Sequence, residues 1–235
     1  MDDGLSDSQK ISRPHYHGHR QRLRERFLAA GGGGLAEYEL LEMLLAQAIP
    51  RRDVKPLAKD LLDRFGSFAG VISAEPERLR AVPGMGDTSV AALKVVRAAA
   101  VLLLKQEVMQ RDAIGSWDRL LDYCRAAMAH EAVEQLRLLF LDRKNVLIAD
   151  EVQQRGTVDH TPLYVREVVK RALELGASAL IIVHNHPSGD PTPSRGDIEM
   201  TNQVKDALEK IGIALHDHVV IGRKGHESFR AKGLL

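Results

Sequence analysis

The sequence has one cysteine, Cys124, in 235 residues. A lone thiol forms no internal disulfide and rules out every zinc module that takes two or more thiolates. The zinc nucleobase deaminases are excluded with them, because they need a P-C-x-x-C pair. Cys124 therefore reads as a small buried hydrophobe. Aromatic residues are also scarce, at 4%, so Leu, Val, Ile and Ala must fill the cores. Neither sign of charge is in excess: 33 basic residues stand against 32 acidic ones, a formal net charge of +1. That balance removes any global electrostatic case for nucleic acid. No run approaches the ~18 consecutive apolar residues of a membrane span. The polar N-terminal stretch lacks the apolar core of a signal peptide. The expectation is a cytoplasmic protein without a membrane partner.

What is present fits an ordinary soluble chain, with 44% apolar and 28% charged residues. The length suits one large domain or two modest ones. Positive charge is concentrated in one place, where His15, His17, His19, Arg20, Arg22, Arg24 and Arg26 crowd together. These side chains could touch phosphates, or they could form a solvated leader into a helix.

The patterning divides the chain. Residues 1–18 read as a disordered leader. Helical signals follow: about His19 to Ala30, stopped by the run Gly31–Gly34; Leu35 to Gln47, with Leu40, Leu41, Leu44 and Leu45 at helical spacing; and Val54 to Phe65, capped by Asp53 and stopped at Gly66. Pro76 opens a short helix that ends at Pro83-Gly84, and Asp87 to Lys105 reads as one alanine-rich helix. Residues 19–105 are thus expected to be an all-helical domain and 106–115 a linker. From 116 to 235 strands and helices mix. Gln135–Leu141 and Val146–Gln153 flank Asp142-Arg143-Lys144-Asn145, a hairpin signal. Val165–Leu175 reads as a helix closed by Gly176, Ala179–Val183 as a buried strand, Ile198–Ile211 as a helix and Ile213–Ile221 as a strand. The fold class is α followed by mixed α/β.

The chemistry gathers after the strand Ala179–Val183, which runs straight into His184-Asn185-His186-Pro187-Ser188-Gly189-Asp190. Reactive groups in α/β sheets collect where a strand gives way to a loop. Residues two apart in an extended segment point the same way, so His184 and His186 can aim both imidazoles at one point. A stiff, proline-rich loop then returns the chain to Ser194 and Asp197 at the next helix start. Asp197 can supply a third, anionic ligand, leaving a position open for water, as in catalytic zinc sites. Each feature also has a plainer reading. A bare H-x-H is usually a pair of polar loop residues, Ser194 or Asp197 can simply cap a helix, and Asp190 can shape a turn with Gly189. No H-E-x-x-H and no G-x-S-x-G elbow occurs.

The spacing H-x-H-x7-S-x2-D, from His184 to Asp197, matches the JAMM (MPN-plus) metalloprotease motif. The string HNHPSGDPTPS, with GTVDHTPLYVREVVKRALELGA before it and DHVVIG after it, closely resembles the bacterial RadC family. GHRQRLRERF, EYELLEMLLAQAIPRRDVKPLAKDLL and VPGMG extend the resemblance to that family's N-terminal helical domain. It implies a C-terminal JAMM domain of cytidine-deaminase-like α/β architecture at 116–235 and one Zn2+ per chain on His184, His186 and Asp197. Also implied are a general base upstream, with Glu134 the first choice and Glu151 the second, and an oxyanion-stabilising Ser194. The implied reaction is amide or isopeptide hydrolysis of an unidentified peptide or protein in the bacterial cytoplasm.

In the helical half, Leu79-Arg-Ala-Val-Pro-Gly84-Met-Gly86 before the helix at Asp87 resembles a helix-hairpin-helix. Its backbone N–H groups and helix N-terminus would face a DNA phosphate, with Gly84 and Gly86 allowing the close approach. A plain turn between helices fits the same residues. The competing functional reading is therefore a DNA-binding, repair-associated accessory protein whose metal is structural or vestigial.

Overall fold

The computed structural model describes residues 16–109, 111–155 and 163–235. The expected leader, 1–18, lies almost wholly outside these residues, as does 156–162 of the segment before the third strand.

Contacts divide the chain into two units inside one helix, between Leu93 and Lys94, with Ser73–Glu75 grouped with the second unit. The first unit is helical: α1 (Tyr16–Ala30), α2 (Glu37–Ala48), α3 (Lys55–Phe65), α4 (Phe68–Ser73), α5 (Pro76–Arg80) and the start of α6 (Asp87–Met109). Local chemistry sets several boundaries. Asp53 Oδ1 accepts the Lys55 N–H at 3.0 Å, and Gly66 closes α3 at φ 84°, a left-handed position that glycine tolerates. The Glu39 carboxylate accepts the Ala36 N–H and pairs with Arg26 at 2.7 Å, tying α1 to the start of α2. Leu41, Leu45, Ala58, Leu61, Leu79 and Leu93 are fully buried. α4 escapes the sequence reading because six residues are too few to show a period. The helix expected to stop at Lys105 continues to Met109, so the first part of the expected linker is helical.

The second unit is built on a five-stranded sheet in the order β2-β1-β3-β4-β5. The strands are β1 (Gln135–Leu141), β2 (Leu147–Arg155), β3 (Ala179–Asn185), β4 (Ala214–Gly222) and β5 (Gly225–Ser228). β3 and β4 are parallel; the other pairs are antiparallel. Alternation decides which layer each side chain joins. Leu139, Leu141, Ile181 and Val183 pack with Leu120, Cys124 and Met128 of α7 (Trp117–Met128) and with Val108 of α6. Leu138, Phe140, Leu180 and Ile182 pack with Val168 of α8 (Val165–Glu174) and Val204 and Leu208 of α9 (Arg195–Glu209). The result is helices on both faces of one mixed sheet. Neither α7 nor β5 was anticipated. α7 does carry the helical spacing Leu120, Leu121, Cys124, Ala127, Met128. β5 is short and half-buried, so its pairing with Val219–Gly222 and not its hydrophobicity defines it. Burial pushes the Cys124 thiol up to about 12, in keeping with a packed, unreactive side chain.

Candidate metal centre

β3 is the central strand. At its end Leu136 of β1 and Val220 of β4 flank His184 in register. The His186 N–H still donates to Ile221 O at 2.9 Å, so the backbone stays extended through the H-x-H segment and both rings project together. Beyond it the loop is tethered to the end of β4. Gly189 turns at φ 89°, its carbonyl accepts the Lys224 N–H, and Arg223 donates to Ser188 O at 3.0 Å. Gly222 allows the close approach: a Cβ there would lie 2.4 Å from Gly189 O. Asp190 shapes the turn as its plainer reading expected. Its carboxylate accepts the Thr192 N–H at 3.0 Å and hydroxyl at 2.8 Å, and the ligand set does not include it.

Ser194 is the N-cap of α9. Its Oγ accepts the Asp197 N–H at 3.2 Å, while Asp197 Oδ2 accepts the Ser194 N–H at 2.7 Å. This reciprocal box fixes Asp197 on the first turn, facing the histidines. His184 Nε2 lies 2.9 Å from His186 Nε2 and 3.3 Å from Asp197 Oδ1, and His186 Nε2 lies 3.5 Å from Asp197 Oδ2. The nitrogen–nitrogen separation and the nitrogen–oxygen separations, one to each Asp197 oxygen, are of the scale of ligand–ligand edges around tetrahedral zinc, about 3.3 Å for ligand distances near 2.0–2.1 Å. Among the described residues they form a group able to hold a metal ion.

The field matches that use. Burial alone would raise the Asp197 pKa, but the His184 and His186 rings facing its carboxylate outweigh it and hold the carboxyl far below its usual range. His186 is shifted upward, first by its bond to Asp197, with the Asp190 carbonyl and the charge of Glu134 adding to it. Glu134 is thus within electrostatic reach of His186. It is half-buried, immediately before β1. Asn185, 1% exposed, holds the backbone on both sides of it: its Oδ1 accepts the Gln135 N–H at 3.0 Å and its Nδ2 donates to Val133 O at 3.3 Å. Glu151 is engaged elsewhere. It lies on β2, separated from β3 by β1, and takes three bonds of 2.6–3.0 Å from Arg171.

Residues the sequence reading left without a role complete the surroundings. His218 and Thr201 are fully buried beside His184 and Asp197, and desolvation, then the neighbouring His184, push the His218 pKa well down. Asn185 and His218 both lay inside quoted motifs, yet only the fold reveals their partners. At the hairpin of the helical unit, Gly84 takes φ 94° and its carbonyl accepts from Arg52. The Gly86 N–H is taken by Ser89 Oγ at 2.9 Å, and Asp87, at the helix start, pairs with Arg80 at 2.8 Å.

A mixed sheet between helices that brings H-x-H and a helix-start aspartate together defines a JAB-type domain, and residues 114–234 match the RadC-like JAB domain. Residues 17–91 match the UPF0758 N-terminal family. A UPF0758 protein of Rhodobacter capsulatus is 62% identical over 213 residues, covering 91% of this chain and all of that protein. One from Ruegeria pomeroyi is 58% identical over 217 residues, covering 92% of this chain and 97% of its own length. The chain belongs to this UPF0758 (RadC) family.

Proposed function

We propose that the chain is a zinc-dependent hydrolase of amide or isopeptide bonds. The observation that carries this reading is the convergence of His184, His186 and Asp197 within metal-binding distance, with the charge of Glu134 reaching His186. Zinc held by His184, His186 and Asp197 would supply Lewis acidity and acidify a water for attack near neutral pH. Glu134 accepts the proton of the attacking water and hands it to the leaving amine. Ser194 Oγ accepts at the helix cap and retains its own O–H, which it donates to the developing oxyanion, a contribution of about 3 kcal/mol where such donors have been removed. The substrate class is a peptide or protein. Elemental analysis of the purified protein beside His186→Ala tests the site: the wild type carries about one zinc per chain and the variant loses it. Equal zinc in both sinks the reading.

A second reading concerns the helical unit. The exposed glycine turn, with Gly84 at φ 94°, favours a weak, sequence-independent contact with a DNA backbone, while Asp87 beside it and the engaged Gly86 N–H weigh against one. Such a contact weakens steeply between ~50 and 200 mM salt; an affinity indifferent to salt speaks against phosphate binding.

A further inference from the structure

His218 and Thr201 contribute nothing to the ligand triad, yet both are 0% exposed and join its members into one chain. His218 Nε2 is 2.7 Å from His184 Nδ1, and His218 Nδ1 is 2.5 Å from Thr201 Oγ1. Thr201 donates to the Asp197 carbonyl at 2.5 Å, one turn back along α9. Phe229 stacks on the His218 ring at 4.4 Å between centroids and 23° between planes, restricting the ring's orientation.

Counting protons gives this chain a direction. A carbonyl only accepts, so the single hydroxyl proton of Thr201 points at Asp197 O. Thr201 Oγ1 is then the acceptor toward His218, whose Nδ1 carries the N–H. Fully buried, with only a hydroxyl and an imidazole on its two nitrogens, the His218 ring has no countercharge and carries one N–H, which leaves a lone pair on His218 Nε2. That lone pair accepts from His184 Nδ1–H, and His184 Nε2 is left with its own lone pair facing His186 and Asp197. Run in reverse, the chain puts a proton on His184 Nε2 and prevents it from ligating a metal. With His184 1% exposed and the other two fully buried, bulk water is kept from supplying a substitute partner. His186 is oriented more simply, through the Asp190 carbonyl 2.9 Å from its Nδ1.

We propose that Thr201 and His218 are positioning residues that lock His184 in its Nδ1–H tautomer and so aim its Nε2 at the metal. The proposal rests on the zinc reading of the triad. In it, Asp197 has two roles: its carboxylate is a ligand, and its backbone carbonyl, which cannot change protonation, anchors the tautomer of another ligand.

The test compares Thr201→Val with Thr201→Ser by competition of the zinc-stripped proteins against a chromophoric chelator for Zn2+. Thr201→Val, which touches no ligand side chain, binds zinc ten- to a hundredfold more weakly, on the order seen when outer partners of a metal site are removed. Thr201→Ser keeps the hydroxyl and stays within about threefold of wild type. Equal affinity of Thr201→Val and wild type overturns the proposal. A wild type that takes up no zinc is a different result and overturns the triad itself. Should Thr201→Val fail to fold, ring 15N spectra of the zinc-loaded wild type decide: the His218 proton is expected on Nδ1, and finding it on Nε2 reverses the chain and refutes the lock.

Discussion

Single residues at the metal centre divide into those that hold, those that react and those that orient. Glu134 belongs to the second class in the proposed function, because its charge reaches His186 without its joining the ligand set. Glu134→Gln is therefore expected to keep zinc and lose hydrolysis by a factor of ~10²–10⁴, the usual worth of a general base. Zinc content together with turnover of a quenched peptide and isopeptide library separates the two properties. A variant that cleaves like wild type removes Glu134 from the mechanism. His184 and His186 were legible from their alternation on an extended segment. Thr201 and His218 were not, since nothing in sequence spacing ties a helix threonine to a histidine on a strand 17 residues later.

Among the elements, the loop after β3 depends on β4. Gly222 lies so close to Gly189 O that an added Cβ would sit 2.4 Å from that backbone oxygen. Gly222→Ala is thus expected to cost about 1–3 kcal/mol and to weaken zinc binding by displacing the loop that carries His186 and Asp190. Chemical denaturation and chelator competition measure the two effects, and an unchanged loss-free profile in both refutes the tether. Elsewhere in the sheet, the Asp150 side chain of β2 is wholly buried. It is bound by Arg137 of β1 at 2.7 Å, Lys105 of α6 at 3.0 Å and Tyr123 of α7. Burial pushes the Asp150 pKa up, but the Arg137 charge and bonds from Tyr123, Lys105 and Arg137 bring it net below its usual value. A depressed folded value means stabilisation that is complete above the unfolded pKa, about 3.9, and lost as pH falls through the folded one. Asp150→Asn should cost about 3 kcal/mol at neutral pH, because it strands the Arg137 charge. It should also flatten the loss of stability below pH ~4. Urea titrations at several pH values check both, and parallel pH profiles would contradict the assignment.

For the whole molecule, the informative feature is a division that falls inside α6. Val101, Leu104 and Val108 pack on the core shared by α7 and the sheet, so the last turns of this helix belong structurally to the unit that carries the sheet. A fragment of residues 94–235 is expected to unfold cooperatively and to bind zinc as the full chain does. One beginning at 114 should be at least about 2 kcal/mol less stable, having lost the burial of these side chains. Equal stability of the two fragments would falsify the assignment of the helix end. Among the described residues no helix is long and apolar enough to cross a membrane.

Short-range chemistry in the sequence determined most of the elements and the three metal-type side chains. Short apolar runs set β1 and β3, glycine and aspartate set helix ends, and H-x-H with a helix-start S-x-x-D set the triad. Those signals are local, carried by neighbours within a few residues. Tertiary structure alone decided what lies between such segments. It tied Glu151 to Arg171 and held the backbone on both sides of Glu134 through Asn185. It also used α7, passed over in sequence, to cover one sheet face, and assembled the chain from the Asp197 carbonyl to His184. Each of these depends on sheet order and strand register, which place residues from distant parts of the chain within hydrogen-bond reach. No residue spacing encodes that order, because it arises only when both faces of the sheet are buried at once.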